Sequence, residues 1–503
     1  IFEASREKTF DEDGLEALSF VSIPGLSWAS AIKQLPEPVE LIQDPELYRL
    51  FEAGIRGGMT FINKHHVEAD ESTQMSYLDV NNLYGWALSQ KLPVGEFRWI
   101  NDQTEMNGIV ERCANGDEFD GDRGYVLEVD IVIPDSIQDK LDDLPIAPEL
   151  CYPPGSKVEK LLLTHEPKKN YVVNGRVLTE WLSYGAKVTK VNRAVEFKQV
   201  AIFKGYIDYN TKMRAASTDS FQRDYYKLKN NSLYGKTVEN LKKRINLRLC
   251  SKSKRLITYC SNPMFRRSIK IADDLIAVIL DNEMVCLDRP MYIGQTVLDL
   301  SKLRMYQFQY KELQSYREKF NCQINIVAGD TDSFFLECKN VDLRLQLYPK
   351  MIEDGLLDTS NYPVTDPLFS DKICSVIGKV KDENKGNQYK EWVFLRPKCY
   401  SLQGDKNTLK AKGIRLTNSN ITHEAYKKVY TDGGTVSIQQ KRIGSVNHQL
   451  YTFMTEKRAL QCLDDKRYWY NCNESYAYGH YKIRQMHIAT AMSRNECKSK
   501  QAL

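Results

Sequence analysis

The fold is decided by the stretch Ile324-Asn325-Ile326-Val327-Ala328-Gly329-Asp330-Thr331-Asp332-Ser333-Phe334-Phe335-Leu336, in which two apolar runs flank one tight acidic turn. This pattern predicts a β-hairpin with carboxylates at its tip. In extended chain, Asp330 and Asp332 point to the same side. Two such carboxylates repel each other unless a positive charge neutralises them, and a divalent cation is the usual one. The sequence therefore predicts a cation site at this tip.

The chain is long and carries little net charge. Its 503 residues predict several subdomains rather than a single core. A net charge of +4 does not establish a nucleic-acid partner. Basic clusters with aromatic neighbours, such as residues 252–255, suit a phosphate backbone and stacked bases, although charge runs are often simply exposed. No apolar run approaches the length of a membrane span, so we expect no membrane partner.

Cysteine and histidine spacing predicts neither a metal site nor a disulfide framework. The 12 cysteines include no CxxC pair, and the seven histidines do not cluster at metal-ligand spacing. We interpret the cysteines as reduced thiols of an intracellular protein.

Residues 210–240 give the strongest helical pattern. Arg223, Lys227, Asn231 and Tyr234 fall within one narrow stripe of a helix at about 100° per residue. Solubility alone does not explain a stripe of cations, amide and phenol, although it could face solvent. A nucleoside triphosphate needs cations along its phosphates, and Arg223 and Lys227 can provide them.

A third acidic position precedes this helix. Asp79 lies in a predicted buried strand, residues 75–80, that breaks at Asn81 and Asn82 before a short helix. Two metal ions about 4 Å apart need carboxylates from separate strands. The order of Asp79, basic helix and acidic hairpin therefore favours metal-assisted chemistry on a nucleotide.

These elements resemble the motifs of family B DNA polymerases. DVNNLYG at 79–85 is similar to the first polymerase motif, Dx₂SLYP, and KLKNNSLYG at 227–235 matches the second, Kx₃NSxYG. GDTDS at 329–333 is similar to YxDTDS, KCY at 398–400 matches KxY, and IRGG at 55–58 is similar to the YxGG motif of protein-primed members. The resemblance runs from about residue 15 to the C-terminus.

The protein-primed branch of bacteriophages, linear plasmids and Polinton/Maverick transposons is the most similar. Asn82, Gly85 and the extension at 236–240 look most like the transposon group. The sequence departs from the family motifs at four positions, where Asn82 replaces Ser, Gly85 replaces Pro, and Ala328 and Ile55 replace Tyr. None of these departures removes a metal ligand.

The resemblance implies a role for each matched residue. Asp79 and Asp332 would ligate two catalytic Mg²⁺ ions, or Mn²⁺ in their place, with Val80 in the metal-ligating set and Asp330 assisting. Lys227 and Arg223 would hold the triphosphate. The other nucleotide-binding residues would be Asn82, Leu83, Tyr84, Asn231 and Tyr234, with Tyr84 excluding the ribose 2′-hydroxyl.

The resemblance also implies the partners, namely template and primer DNA, deoxynucleoside triphosphates and a terminal protein that serves as primer. Lys398 and Tyr400 would grip the primer terminus. The remaining contacts with primer or template would come from Arg56, Gly57, Gly58, Ser232, Gly235 and Thr331.

The implied fold is α+β, a right hand in which an antiparallel palm sheet with helices joins helical fingers and a thumb, with two inserts. The expected division is 1–50, a remnant of the N-terminal region; 51–95, palm; 96–200, a first insert of the terminal-protein-contacting type; 201–243, fingers; 244–296, a second insert of the strand-encircling type; 297–412, palm; and 413–503, thumb.

The N-terminal part looks too short for the proofreading domain that the family usually carries. Only 54 residues precede Ile55, so we expect no 3′–5′ exonuclease in this chain. Residues 1–50 look like an irregular lead-in, and the acidic run at 11–13 looks solvated. The chain opens without methionine, and we expect it to be a piece of a longer polypeptide.

Template-directed DNA polymerisation, serving a mobile element or a virus-like genome, is the leading interpretation. We expect an intracellular protein, nuclear if the element is eukaryotic. One alternative is a decayed DNA-binding relic, against which the retained Asp79, Asp332 and Lys227 argue. Another is a reverse transcriptase, whose acidic turn usually has two adjacent aspartates and which lacks the Asn-Ser-Leu-Tyr-Gly helix.

Overall fold

The computed structural model describes residues 2–416, 420–446 and 449–488, whose regular structure comprises helices α1 to α14, a further helical stretch at 481–488, strands β1 to β23 and a few short 3₁₀ and π segments. The helices are α1 (Phe2–Asp13), α2 (Ile23–Lys33), α3 (Pro45–Ala53), α4 (Leu83–Leu88), α5 (Gln103–Ala114), α6 (Asp135–Leu141), α7 (Gly175–Ser183), α8 (Lys204–Ala216), α9 (Ser220–Thr237), α10 (Ser253–Cys260), α11 (Met291–Gln307), α12 (Leu313–Phe320), α13 (Tyr348–Glu353) and α14 (His423–Asp432). Among these residues, no helix has both the length and the apolar character needed to cross a membrane.

The strands fall into several separate sheets. They are β1 (Thr60–Ile62), β2 (His66–Glu68), β3 (Thr73–Val80), β4 (Leu92–Ile100), β5 (Arg123–Val132), β6 (Glu149–Cys151), β7 (Lys160–Leu162), β8 (Lys168–Asn174), β9 (Lys187–Val200), β10 (Asn246–Cys250), β11 (Phe265–Ala272), β12 (Leu275–Leu280), β13 (Gln323–Asp330), β14 (Ser333–Lys339), β15 (Leu357–Asp358), β16 (Val380–Asp382), β17 (Tyr389–Arg396), β18 (Cys399–Gly404), β19 (Thr408–Ala411), β20 (Thr435–Val446), β21 (Gln449–Gln461), β22 (Tyr468–Trp469) and β23 (Ser475–Tyr476).

A six-stranded sheet in the order β1-β13-β14-β3-β16-β15 holds the acidic hairpin at its centre. Its pairings are antiparallel except for β15 with β16. β13 and β14 form the predicted hairpin, and residues 331–332 make its turn. Helix α11 is buried along almost its whole length and packs against α3, α4, α7 and α9. A helix buried on every side forms the interior of a large fold.

Smaller sheets flank this centre. β19-β18-β17-β2 form a four-stranded antiparallel sheet next to it. β4-β9-β5-β8 form another within residues 92–200, and β10-β12-β11 form a third within residues 246–280. Strand β4 runs across the expected boundary between residues 95 and 96. The division of the chain into palm, inserts, fingers and thumb stays a prediction.

Residues 1–50 are largely helical, and the prediction of an irregular lead-in is wrong. Pro36 and Pro38 lie in the irregular segment between α2 and α3, but Pro24, which also suggested a break, lies in the first turn of α2, as Pro45 does in that of α3. Proline is favoured there because its missing N–H has no partner within the helix anyway. Asp44 caps α3 by accepting the Glu46 N–H at 2.8 Å. Helix α2 packs on α9, so the N-terminal segment supports the helix with the cationic stripe.

A buried ion pair joins this segment to α9, so the prediction that the acidic run at 11–13 is solvated is wrong for Asp13. Lys229 Nζ lies 2.8 Å from Asp13 Oδ2, and both side chains are at most 1% exposed. Ser30 donates to the other carboxylate oxygen at 2.7 Å. Tyr226 on α9 also donates to Glu12, at 2.5 Å. The sequence signal was misleading because a charge run shows no partner from a distant segment.

The region after residue 415 contains α14, a helical stretch at 481–488 and a long strand pair, so its regular structure is only partly helical. Gly433 and Gly434 follow α14 with positive φ, a conformation that ends a helix. β20 and β21 then pair antiparallel over their full lengths. Alternating half-buried and exposed residues in β20 fit a strand with period two.

The buried pair predicts a strong dependence of folding on both partners. Lys229→Met or Asp13→Leu alone leaves an uncompensated buried charge, and each should lower the free energy of unfolding by about 3–5 kcal/mol. The double variant Asp13→Leu/Lys229→Met should recover much of that loss. Urea denaturation measures all three, with Lys204→Met of the exposed Lys204–Asp208 pair as control. Strictly additive losses in the double variant would contradict the pairing.

Candidate active site

Two carboxylates meet where β3 and β14 lie side by side. The antiparallel register places Ser333 opposite Asp79, so Asp332 at the hairpin turn adjoins Asp79. The Val80 N–H donates to the Asp332 carbonyl at 2.7 Å and fixes the turn against the strand end. The structure therefore brings together the predicted metal-ligating residues Asp79, Val80 and Asp332.

Burial and repulsion by a neighbouring carboxylate act on both carboxyl groups. Burial, and then the charge of Asp332, raise the pKa of Asp79 to about 8, against the opposing effect of Lys381. Burial and the charge of Asp330 raise the pKa of Asp332. Carboxylate oxygens are the ligands that Mg²⁺ prefers. Asp79 and Asp332 thus fit the predicted ions by their chemistry and placement.

Asp330 has different surroundings from Asp332, although the extended-chain spacing predicted a shared side. Thr331 takes a positive φ of 69°, so the chain is not extended between the two aspartates. Asp330 Oδ1 forms an ion pair with Lys398 Nζ, and Lys410 Nζ lies 3.5 Å from Asp330 Oδ2. Two cations thus neutralise Asp330, whereas Asp332 faces Asp79.

The turn after Asp79 contains two of the departures from the family motifs, and they fit together. Asn82 has a positive φ of 44° and caps α4 by accepting the Gly85 N–H at 3.2 Å. A Cβ at Gly85 would lie only 2.2 Å from Asn82 Nδ2. The Asn82 side chain therefore occupies the space that a larger residue at 85 would fill. Leu83 is buried in the core, so its side chain does not line the cleft.

A polar cleft of about 380 Å³ opens beside the carboxylates. Arg223, Lys227 and Asn231 line it from the exposed face of α9, as their spacing predicted, and Asn82 lines it from the turn after β3. The Arg223 guanidinium donates to the Ser217 carbonyl at 3.0 Å. The charge of Lys227 reaches Asp79 and lowers its pKa. The cleft thus lies between the acidic pair and a cationic wall formed by Arg223 and Lys227.

Tyr84 and Tyr234 stack on each other next to this cleft. Their ring centroids are 4.6 Å apart with an angle of 10° between the planes. Burial, and then the charge of Asp332, raise the pKa of Tyr84 to about 12. A stacked pair held by two motifs gives a rigid wall near the carboxylates. Farther along α9, Ser232 is half-buried and Gly235 is exposed.

The predicted primer- and template-binding residues have mixed surroundings. Lys398 contacts the hairpin by its ion pair with Asp330. Tyr400 is buried, and its ring centroid lies 5.0 Å from that of Phe335. Arg56 is only 8% exposed, donates to the Val172 carbonyl at 2.8 Å and lies over the Tyr171 ring. Its guanidinium is thus used within the protein, and its contact with a template stays a prediction.

Sequence reasoning missed two cationic residues of the cleft, Lys381 and Arg214. Lys381 lies opposite Asp79 in the register of β16 and β3, and its charge lowers the pKa of that carboxyl. No motif marks Lys381, because only the pairing of strands distant in sequence brings it to the site. Arg214 lies on α8, and the pattern of α9 that revealed the stripe does not extend to it.

Comparison with known proteins gives one family and one fold. The family model described as DNA polymerase type B, organellar and viral, matches residues 33–309, more than half of the chain. No curated protein matches the sequence significantly.

Solved structures of Phi29 DNA polymerase are similar in fold. The complex with primer-template DNA and incoming nucleotide substrates has a TM-score of 0.55 and 16% identity, covering 88% of this chain and 68% of that one. The orthorhombic crystal form and the complex with single-stranded DNA each have a TM-score of 0.55 and 15% identity, covering 91% and 70%. The likeness confirms the predicted right-hand α+β fold.

The packing of Gly58 against the hairpin turn predicts a difference between neighbouring glycines. A Cβ at Gly58 would lie 2.4 Å from Thr331 Cγ2, whereas no described atom comes within 4 Å of a Cβ at Gly57. Gly58→Ala should therefore cost about 1–3 kcal/mol of unfolding free energy, and Gly57→Ala much less. Thr331→Gly, which suits the positive φ, should restore stability to Gly58→Ala. Thermal denaturation measures each variant, and equal effects at 57 and 58 would contradict this packing.

Proposed function

Because the chain belongs to the organellar and viral family of type B DNA polymerases, we propose that it adds deoxynucleotides to a primer 3′ end on a DNA template by two-metal nucleotidyl transfer. The observation that carries the proposal is the Asp79–Asp332 pair, which adjoins a cleft lined by Arg223 and Lys227. Phi29 DNA polymerase, which has a similar fold, is complexed with primer-template DNA and incoming nucleotide substrates in one solved structure. We extend those ligands to this chain.

In the proposed reaction the primer 3′-hydroxyl attacks the α-phosphorus of the nucleotide, and pyrophosphate leaves. Asp79, Val80 and Asp332 would hold two Mg²⁺ ions, or Mn²⁺, and Asp330 would assist from its place beside Lys398. When bound, such ions supply positive charge at the attacking and leaving oxygens. Because Asp330 is already paired with Lys398, Asp332 remains available to ligate them.

The cationic wall would hold the triphosphate. Arg223 and Lys227 lie one turn apart on the exposed face of α9 and can contact successive phosphates. Lys381 and Arg214 add positive charge to the same cleft. Preorganised cations of this kind stabilise charge as it develops on the leaving group.

The neighbouring groups would position the sugar, base and DNA. Tyr84, fixed by its stack on Tyr234, would lie beside the sugar and exclude the 2′-hydroxyl. Asn82, Leu83 and Asn231 would complete the nucleotide site. The proposed primer and template contacts are Gly57, Gly58, Ser232, Gly235, Thr331, Lys398 and Tyr400. Arg56 is a further proposed contact.

We place this activity in protein-primed replication of a mobile element or virus-like genome, where a terminal protein supplies the first hydroxyl. The support is the similarity of motifs at 55–58 and 236–240 to that branch. In this proposal residues 96–200 contact the terminal protein and residues 244–296 encircle the template. The lack of an exonuclease and a nuclear location stay predictions.

Replacing Asp332, a proposed metal ligand, should abolish primer extension while leaving the binding of primed DNA nearly unchanged. Asp332→Asn removes a charge needed only for metal ligation and catalysis, so Mg²⁺-dependent primer extension should fall about a thousand-fold or more. Affinity for primed DNA should stay within about threefold, because phosphate contacts dominate it. Asp122→Asn, whose side chain is 90% exposed, is the matched control.

Gel-based extension of a labelled primer and fluorescence anisotropy measure the two quantities. Near wild-type extension by Asp332→Asn would contradict the site. A wild-type chain that binds primed DNA but never extends it would instead support a DNA-binding relic.

A further inference from the structure

The C-terminal strap, residues 464–484, lies against residues 135–165. Both are near β1, an edge strand of the central sheet. Lys160 Nζ is 2.6 Å from an oxygen of Asp465, and Arg484 donates to Asp135 at 2.7 Å. Arg467 donates to the Asp142 carbonyl at 2.9 Å. The strap also reaches the central sheet, because Lys466 Nζ donates to the Thr60 carbonyl of β1 at 2.7 Å.

A buried cluster of potential metal ligands lies where the strap meets this region. One ligand atom from each of Asp142, His165 and His480 lies within 4.8 Å of the other two. Both histidine side chains are completely buried. His165 Nε2 is 3.4 Å from Asp142 Oδ1, about the distance between two ligands of a tetrahedral ion with bonds of about 2.1 Å.

The imidazoles lack good partners for their ring nitrogens. Among the described residues, neither nitrogen of His165 nor Nε2 of His480 has a hydrogen-bond partner. The 3.4 Å separation between His165 and Asp142 is long for an N–H···O bond, which is usually about 2.9–3.0 Å. Unpaired buried polar atoms are costly and call for a partner. An ion between the three residues would be such a partner for a nitrogen of His165, while His480 Nε2 faces Asp139.

The protonation states suit a metal. Burial lowers the pKa of both histidines, that of His480 to about 4, which favours the neutral form of each ring. Burial acts to raise the pKa of Asp142, but the charge of Arg467 is the largest of the effects that outweigh it and hold the pKa below its usual range. Two neutral imidazoles and a carboxylate are a donor set that zinc takes readily.

The groups around the cluster orient its ligands. Asp142 Oδ2 accepts from Arg467 at 2.7 Å, and Oδ1 accepts the Ala477 N–H at 2.9 Å. Asp139 Oδ1 lies 3.5 Å from His480 Nε2 and can receive the ring proton, as carboxylates do for zinc-bound histidines. The weak Lys482 N–H bond to His480 Nδ1, at 3.2 Å, would then give way to the ion.

A second group of potential ligands, around Glu391, has its partners already. His66 Nε2 is 2.6 Å from Glu391 Oε1, and Lys427 and His423 occupy the same carboxylate at 2.8 and 3.0 Å. The contrast singles out the cluster at the strap.

We propose that Asp142, His165 and His480 bind a Zn²⁺ ion that fastens the C-terminal strap to the region of residues 135–165. The ion is separate from the catalytic Mg²⁺ ions. Its role is structural, because the strap holds β1, which pairs with β13 and places Thr60 opposite Asp330. The central sheet would thus be stiffened from a distance.

Zinc content of the chain, purified without a polyhistidine tag, tests the proposal. After incubation with Zn²⁺ and desalting, mass spectrometry of the metal should find about one ion per chain. His165→Ala and His480→Ala should retain little or none. Asp332→Asn and His487→Ala, the latter at an exposed position, should retain as much as wild type. Absence of zinc in the wild-type chain, or undiminished zinc in His480→Ala, would overturn the site.

A measurement on the wild-type chain alone covers the case in which the histidine variants fail to fold. Zn²⁺ should raise the melting temperature by several degrees, and a chelator should reverse the shift. Chelation should also speed hydrogen exchange in residues 464–484 and not in residues 103–114. An unchanged melting temperature together with unchanged exchange would overturn the proposal. Because Asp332→Asn loses extension but keeps zinc, failure here is distinct from failure of the polymerase function.

Discussion

The rest of the site depends on the enforced approach of two carboxylates, Asp79 and Asp332. Backbone pairing of β3 with β14 holds them together against their repulsion, since the register fixes both strand ends. Neighbouring cations neutralise only part of this negative charge. Lys398 and Lys410 neutralise Asp330, which leaves the pair itself to attract cations. The acidic hairpin alone would have been a general cation site, and in the proposed function the addition of Asp79 from β3 makes it a site for two ions.

The cationic wall has its own support, from the N-terminal segment. Helix α9 presents Arg223 and Lys227 to the cleft while its opposite face is held by Lys229. The partner of Lys229 is Asp13 on α1, so residues far from the motifs fix the orientation of the cationic face, for which we propose phosphate binding. Breaking a buried pair of this kind is costly, and the face therefore has one preferred placement. Charge on one side of the helix and anchoring on the other explain its mixed composition.

The sequence allowed the hairpin, the strand ending near Asp79 and the polar stripe of α9 to be predicted, because each follows from local periodicity. The family motifs gave the right-hand fold. Helix α2 was missed because Pro24 was taken as a break where it begins the helix. The C-terminal strand pair was missed because its apolar positions are sparse. Lys381 and the pairing of His165 with His480 were beyond local reasoning, since contacts between distant segments create them.

The central claim is that Asp79 and Asp332 hold cations together, and iron-directed cleavage tests it most directly. Fe²⁺ bound in place of Mg²⁺ reduces added hydrogen peroxide to hydroxide and a hydroxyl radical, is itself oxidised to Fe³⁺, and the radical cuts the backbone next to the ligands of the ion. A shared site predicts two groups of cuts, beside Asp79 and beside Asp332, both suppressed by excess Mg²⁺ and both absent in Asp332→Asn. Any cuts near the histidine cluster should persist in Mg²⁺, which prefers oxygen ligands. Cleavage at only one of the two aspartates, or at neither, would contradict the claim.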